Sequence, residues 1–292
     1  MATPAEWIEG ARPRTLPAAI SPVVAGSGIA WYEDSFDLLL ATLALIVSLA
    51  IQIGSNLAND YSDGIRGTDA ERVGPMRLVG SGATTARRVL LAAVACWVVA
   101  AGAGLVIVWT TGVWWLVAVG AACILAAWFY TGGKHPYGYL GWGEVFVFLF
   151  YGLVAVGGTV FIQVGYLPVA AWYTAIATGA LACAILVANN LRDLEGDRRA
   201  GKLTLATRLG DAGTRLFFAA TLLVAALGVV AVAWTSSWWA LLGLGMMISL
   251  IGPVWEVLKG CTGRDLIPVL KQTGLAEFTC AAGLFIGLVI AN

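Results

Sequence analysis

The sequence is poor in the residues that keep a globule in water. Of its 292 residues only 12% are charged, 17 Lys and Arg against 17 Asp and Glu, while 60% are hydrophobic. That leaves too little polar side chain to cover a soluble protein of this size. There is one histidine, His135, which excludes a His-rich metal or haem site. The five cysteines (Cys96, Cys123, Cys183, Cys261, Cys280) show no close paired spacing, and four lie in apolar runs. They read as core residues, without a disulfide framework or a thiolate zinc motif. Nor is a cleavable leader expected. "MATPAEWIEGARPRT" carries acids and an Arg-Pro-Arg stretch in place of a basic region followed by a small-residue cleavage site, so the first apolar segment is expected to be retained.

What the chain has in abundance is apolar runs near 20 residues, long enough for a hydrocarbon core about 30 Å thick. Barrel strands would alternate, so the runs predict helices. The expected fold is all-α and polytopic. Nine transmembrane helices are placed at roughly 15–32, 36–56, 89–109, 113–130, 144–163, 168–190, 213–234, 237–256 and 268–290, within a single domain covering 1–292. High glycine content fits close helix packing.

On this map every basic residue falls at one face. Arg12 and Arg14 precede the first helix; Arg66, Arg72, Arg77, Arg87 and Arg88 lie between the second and third, and Lys134 between the fourth and fifth. Arg192, Arg198, Arg199, Lys202, Arg208 and Arg215 flank the sixth connection; Lys259, Arg264 and Lys271 flank the eighth. The alternate connections, "YEDSFD", "TTG", "QVGYLP" and "TSSWW", have neither Lys nor Arg. The positive-inside rule then predicts a cytoplasmic N-terminus, an external C-terminus and a multi-pass protein of the cytoplasmic membrane.

Two polar stretches stand out against this background. "NLANDYSDGIRGTD" follows the second apolar run, and "NNLRDLEGD" follows the sixth. Each contains Asn-x-x-x-Asp, each is followed by arginines, and 130 to 133 residues separate them, which predicts two related halves meeting face to face. In a helix, residues four apart share a face and lie about 6 Å apart along the axis, so Asn189, Asp193 and Asp197 would line one wall. Gly64 and Gly67 weaken a helix, so Asp69 is expected to reach the same place from a loop or a separate short helix. Ligands that are all hard oxygens suit Mg²⁺, which takes one or two carboxylates and completes its shell with water and substrate phosphate. With interleaved Arg and Lys, two such walls read as a diphosphate clamp whose opening faces the cytoplasm. Solvated surface charges and helix caps are the bland alternative for one such motif. Two matched clusters at membrane helix ends favour a site, since an uncompensated carboxylate drawn into the bilayer costs about 2.5–3.5 kcal/mol.

Together with the Tyr-x-x-x-Lys of "YTGGK" (Tyr130, Lys134), these stretches resemble the three signatures of the UbiA superfamily of intramembrane prenyltransferases. "ARPRTLPAAISPVVAGSG", "RVGPMRLVGSG", "YTGGKHPYGYLGWGE" and "GKLTLATRLG" are similar to its 1,4-dihydroxy-2-naphthoate polyprenyltransferase branch, from Arg12 to about Gly210. The resemblance implies nine helices around a central cavity, Mg²⁺ dependence, and transfer of a chain from polyprenyl diphosphate to 1,4-dihydroxy-2-naphthoate, with loss of CO₂, in menaquinone biosynthesis. It implies metal ligands Asn59, Asp63 and Asp69, with Asp60 as helper, and Asn189, Asp193 and Asp197. Asp63, Asp193, Tyr130 and Lys134 are then the expected catalytic set. By position, Arg72 and Arg77 after the first cluster and Lys202 after the second are candidates to bind diphosphate, as is Lys134, for which a positive-inside anchor is the alternative.

The chemistry of the clamp is independent of that likeness. Positive charge where negative charge grows lets an allylic diphosphate ionise, and the cation must be shielded from water until an electron-rich aromatic carbon attacks it. Tyr130, Tyr137 and Trp142 are candidates to stabilise it with their faces, against an ordinary interfacial role. Arg12 and Arg14 are either carboxylate ligands for the acceptor or juxtamembrane anchors; Glu144 is expected to serve the dipole at its helix start. Two alternatives stay open: a prenyltransferase for 4-hydroxybenzoate, homogentisate or haem, and a cation-coupled transporter, whose site would lie nearer the bilayer midplane.

Overall fold

The computed structural model describes residues 2–67 and 76–292; Asp69 and Arg72 fall outside them. The described residues form helices and no strand. A short helix α1 (Pro4–Gly10) leads into α2 (Pro17–Tyr32), α3 (Leu38–Arg66), α4 (Ala86–Thr111) and α5 (Leu116–Phe129). There follow α6 (Gly143–Val164), α7 (Val169–Arg199), α8 (Leu205–Thr235), α9 (Trp238–Lys259) and α10 (Leu266–Ala291). Among the described residues, seven of these (α3, α4 and α6 to α10) are long and apolar enough to cross a membrane; α5 is apolar but shorter.

The helix ends follow from local chemistry. Asp37 caps α3 by accepting from the Leu40 amide at 2.9 Å, and the helix stops at Gly67, whose φ of +71° is left-handed and suits glycine. α6 passes through a π-helical stretch, Phe148–Val154, an irregularity frequent at functional sites. Within it, Gly152 lets the backbones of α6 and α7 touch. A Cβ on Gly152 would lie 2.6 Å from the Ala175 carbonyl and 2.9 Å from Gly179 Cα.

Two apolar cores result. The larger joins α2, α6, α7, α8, α9 and α10 around side chains such as Ile29, Val156, Leu181, Phe218 and Leu284. The smaller holds Leu57, Leu78, Val89, Trp97 and Ala127, contributed by α3, α4, α5 and the segment before α4. Between them lies a cavity of about 1720 Å³, walled by all the long helices except α8 and α9. Both polar stretches open onto it because α3 and α7 outrun their apolar segments, reaching Arg66 and Arg199 where the hydropathy pattern ends near 56 and 190.

Candidate functional site

On α3 one step in sequence separates two faces. Asn59 and Asp63, four apart, line the cavity. Asp60 is turned from it, 1% exposed, and accepts the backbone amides of Leu78 at 2.7 Å and Val79 at 3.0 Å. Gly64, one turn beyond on the same face, lets this segment lie against the helix: a Cβ there would meet Val79 Cγ1 at 2.4 Å. Asp60, expected to help hold metal, thus faces away from the space that Asn59 and Asp63 line. Its oxygens are spent on docking the segment that brings in Arg77. Arg77, expected to bind diphosphate, does line the cavity and pairs with Asp63 at 3.1 Å.

α7 supplies the opposite wall. Asn189, Asp193 and Asp197 all line the cavity, as their spacing predicts. Arg192, which the sequence pattern did not single out, binds both oxygens of Asp193 at 2.8 and 2.7 Å and donates to Asn189 Oδ1 at 2.8 Å. Past the helix, Leu203 donates its amide to the Tyr139 carbonyl at 3.0 Å. Lys202 is thereby carried across, its Nζ 3.7 Å from Asp63 and 4.5 Å from the centre of the Tyr139 ring. A basic residue just beyond the second stretch thus meets an acid of the first.

The connection between α5 and α6 forms a third side. Thr131 donates to Asn59 Oδ1 at 2.7 Å, and Tyr139 donates its hydroxyl to Asp63. Arg66 holds the carbonyls of Thr131 and Gly133, and its guanidinium lies 5.4 Å from the centre of the Tyr139 ring. Tyr130 and Tyr137 line the cavity, in edge-on contact at 5.5 Å. Burial pushes the phenols of Tyr137 and Tyr139 above their ordinary range, so both stay neutral and can donate. Lys134 and Trp142 behave otherwise: both are exposed, and neither lines the cavity. The loop anchored by Arg66 leaves Lys134, expected to act in catalysis and on diphosphate, with its side chain outside the cavity.

Deeper in, polarity fades. A small cluster remains, in which Gln52 donates to Thr15 at 3.0 Å, Asn56 donates to Thr15 and to the Ala11 carbonyl, both at 2.9 Å, and Tyr151 donates to Gln52. Arg12 and Arg14 also border the cavity; Arg12 holds a left-handed φ of 55°, costly for a non-glycine residue. Lining positions on α3 run from Ala44 to Asp63, a rise of roughly 28 Å at 1.5 Å per residue. The part from Ala44 to Asn56, about 18 Å by the same rise, lies in the apolar segment, and residues such as Val47, Gly104, Leu105 and Ile162 wall the cavity there.

The donor set tests whether a metal fits. Among the described residues no three Asp, Glu, His or Cys side chains converge tightly enough to hold an ion by themselves. Mg²⁺ does not require that, since it takes one or two carboxylates and draws the remainder from water and phosphate. Asn59, Asp63, Asn189, Asp193 and Asp197 offer hard oxygens around one space, which fits. Arg77, Lys202 and Arg192 balance these acids, and the same cations have the chemistry to engage phosphate oxygens.

The chain is similar to several known proteins. The chain is 51% identical to the 1,4-dihydroxy-2-naphthoate octaprenyltransferase of Mycobacterium tuberculosis over 282 residues, 96% of each chain. Its fold is similar to the apo structure of a UbiA homologue from Aeropyrum pernix, with TM-score 0.73 and 14% identity over 92% of this chain and 97% of that one. It also matches a UbiA homologue from Archaeoglobus fulgidus bound to DMAPP and Mg²⁺, with TM-score 0.64 and 17% identity over 98% and 100%. Residues 19–269 match the model of the UbiA prenyltransferase family, and the chain belongs to that family.

Proposed function

We propose that this protein transfers a polyprenyl chain from its diphosphate to 1,4-dihydroxy-2-naphthoate, releasing diphosphate and CO₂ and forming demethylmenaquinol. The observation that carries the reading is that both polar stretches line the head of one long apolar cavity, where Lys202, five residues beyond the second stretch, stands 3.7 Å from Asp63 of the first. The choice of naphthoate is supported by the activity named for the mycobacterial relative, 51% identical. A transporter reading has no comparable support, since the acids sit where α3 and α7 end.

Asn59, Asp63, Asn189, Asp193 and Asp197 would hold Mg²⁺, with Asp69 as a further ligand from the first signature; bound there, the ion would neutralise the departing diphosphate. Arg77, Lys202 and Arg192 supply the remaining positive charge, with Arg72 proposed beside them. Tyr139 donates a hydrogen bond at the same place. Tyr130, Tyr137 and Phe146 present ring faces and edges along the cavity wall, where they shield and stabilise an allylic cation. The apolar depth receives the polyprenyl tail. The carbon–oxygen bond to diphosphate breaks first, its electron pair leaving with the diphosphate; a ring carbon of the acceptor then bonds to the allylic cation, and the carbon–carboxylate bond breaks, its electron pair returning to the ring as CO₂ leaves.

The proposal includes nine membrane spans, with α2 and α5 crossing beside the seven longer helices, and the whole chain acting as one domain of two pseudo-repeat halves. The polar site then faces the cytoplasm and Asn292 the exterior. Exposed tryptophans at the other end (Trp109, Trp114, Trp172, Trp234, Trp238) suit a membrane interface.

The test is turnover of purified protein with Mg²⁺, a polyprenyl diphosphate and a panel of aromatic acceptors, products being identified by mass. The naphthoate is expected to give the prenylated, decarboxylated product, and EDTA to abolish it reversibly. Activity undiminished in metal-free buffer, or exclusive use of another acceptor, would overturn the corresponding part.

A further inference from the structure

One carboxyl group beside the cavity is not used by the diphosphate clamp. Glu144, the second residue of α6, is 5% exposed. Its Oε1 accepts from Asn190 Nδ2 at 2.9 Å, while its Oε2 is buried with no hydrogen-bond partner among the described residues. The Glu144 carbonyl accepts from Cys183 Sγ at 3.2 Å, tying the start of α6 to α7. A buried carboxyl with so few partners is costly, and an apolar residue of similar size would pack there more cheaply. Packing alone does not account for it.

Asn190 supplies one. It lines the cavity next to Asn189, turned about 100° around α7 by the helical step. With Nδ2 committed to Glu144, Asn190 Oδ1 accepts no hydrogen bond among the described residues. An asparagine amide can flip, and a carboxylate fixes it because it can only accept. Tyr130 closes the same corner, its hydroxyl 3.6 Å from where a Cβ on Gly143 would stand.

We infer that Asn190, held in one amide orientation by the buried Glu144, reads a hydroxyl group of the aromatic acceptor. The inference rests on the prenyltransferase reading and adds a specificity residue to it. Asn190 touches the acceptor and Glu144 is a positioning residue. The hydroxyl donates to Oδ1, and an acceptor that carries an ether there leaves that oxygen unpaired, which a polar site penalises strongly.

The experiment compares wild type, Asn190→Leu, Glu144→Gln and the double variant Glu144→Gln/Asn190→Asp, using the acceptor and its two monomethyl ethers. Wild type should prefer the free hydroxyl by about tenfold or more for one of the two ethers. Asn190→Leu should erase that preference and raise the KM for acceptor, with the KM for prenyl diphosphate unchanged. Glu144→Gln, which can donate and so frees the amide to flip, should lose part of the preference. The double variant, in which glutamine donates to a carboxylate, should restore it. Asn190→Ser is measured in the same way should the leucine variant misfold. Wild-type preference retained in the Asn190 variants, or a KM for diphosphate that shifts in step with that for acceptor, would overturn the inference. If the wild type turns over a different aromatic compound, the naphthoate reading fails, and the same comparison on that compound and its ether decides the role of Asn190.

Discussion

At the scale of single residues, Asp60 and Asp63 show how little sequence distance separates scaffold from chemistry. Asp60 holds two backbone amides; Asp63 faces Arg77, Lys202 and Tyr139. Asp60→Ala should strand both amides in a buried place and lower stability by roughly 3 kcal/mol, seen as an earlier thermal unfolding in detergent. Asp60→Asn should cost less, and once folded it should turn over substrate. Lys134→Ala should change kcat/KM by less than about twofold, since a solvated charge contributes little; a larger loss would return that residue to the site. The i, i+4 spacing made Asn59/Asp63 and Asn189/Asp193/Asp197 legible, because a helix puts such residues on one face. The separate duty of Asp60 was not legible, since it depends on Leu78 and Val79 returning from 18 and 19 positions away. Arg192 and Tyr139 escaped notice for the same kind of reason. An arginine beside an aspartate, or a tyrosine in a loop, carries no mark of where its tip will point.

Among the elements, hydropathy revealed the apolar segments but placed the ends of α3 and α7 about ten residues short. The polar signatures continue as helix after the apolar pattern stops, and Gly64 does not interrupt it because the returning segment packs there. Close approach elsewhere depends on particular glycines. A Cβ on Gly287 of α10 would stand 2.1 Å from the Trp239 carbonyl, whereas one on Gly102 of α4 would meet nothing within 4 Å. Gly287→Val should therefore cost roughly 3 kcal/mol or more, or prevent accumulation altogether, since backbone must move to admit it. Gly102→Ala should be neutral or gain up to about 1 kcal/mol of helix propensity. Thermal unfolding of the two variants side by side checks both expectations.

For the whole molecule, the cavity lies between two apolar cores, and the two signature helices bring their polar ends to its head from opposite sides. The one-sided distribution of Lys and Arg predicts that a reporter fused after Asn292 is external, while tags inserted at Gly133 and Gly201 are cytoplasmic. Finding Gly133 and Gly201 on opposite faces would end the clamp model. The clamp itself is tested most directly by the turnover of Asp63→Asn, Asp193→Asn and the double variant, each confirmed as folded and membrane-inserted. Both acids serve one leaving group in this account, so each single change should lower kcat by about a hundredfold or more, and the double variant should be scarcely worse than either. Near-normal turnover in either single variant, or losses that multiply in the double, would contradict it.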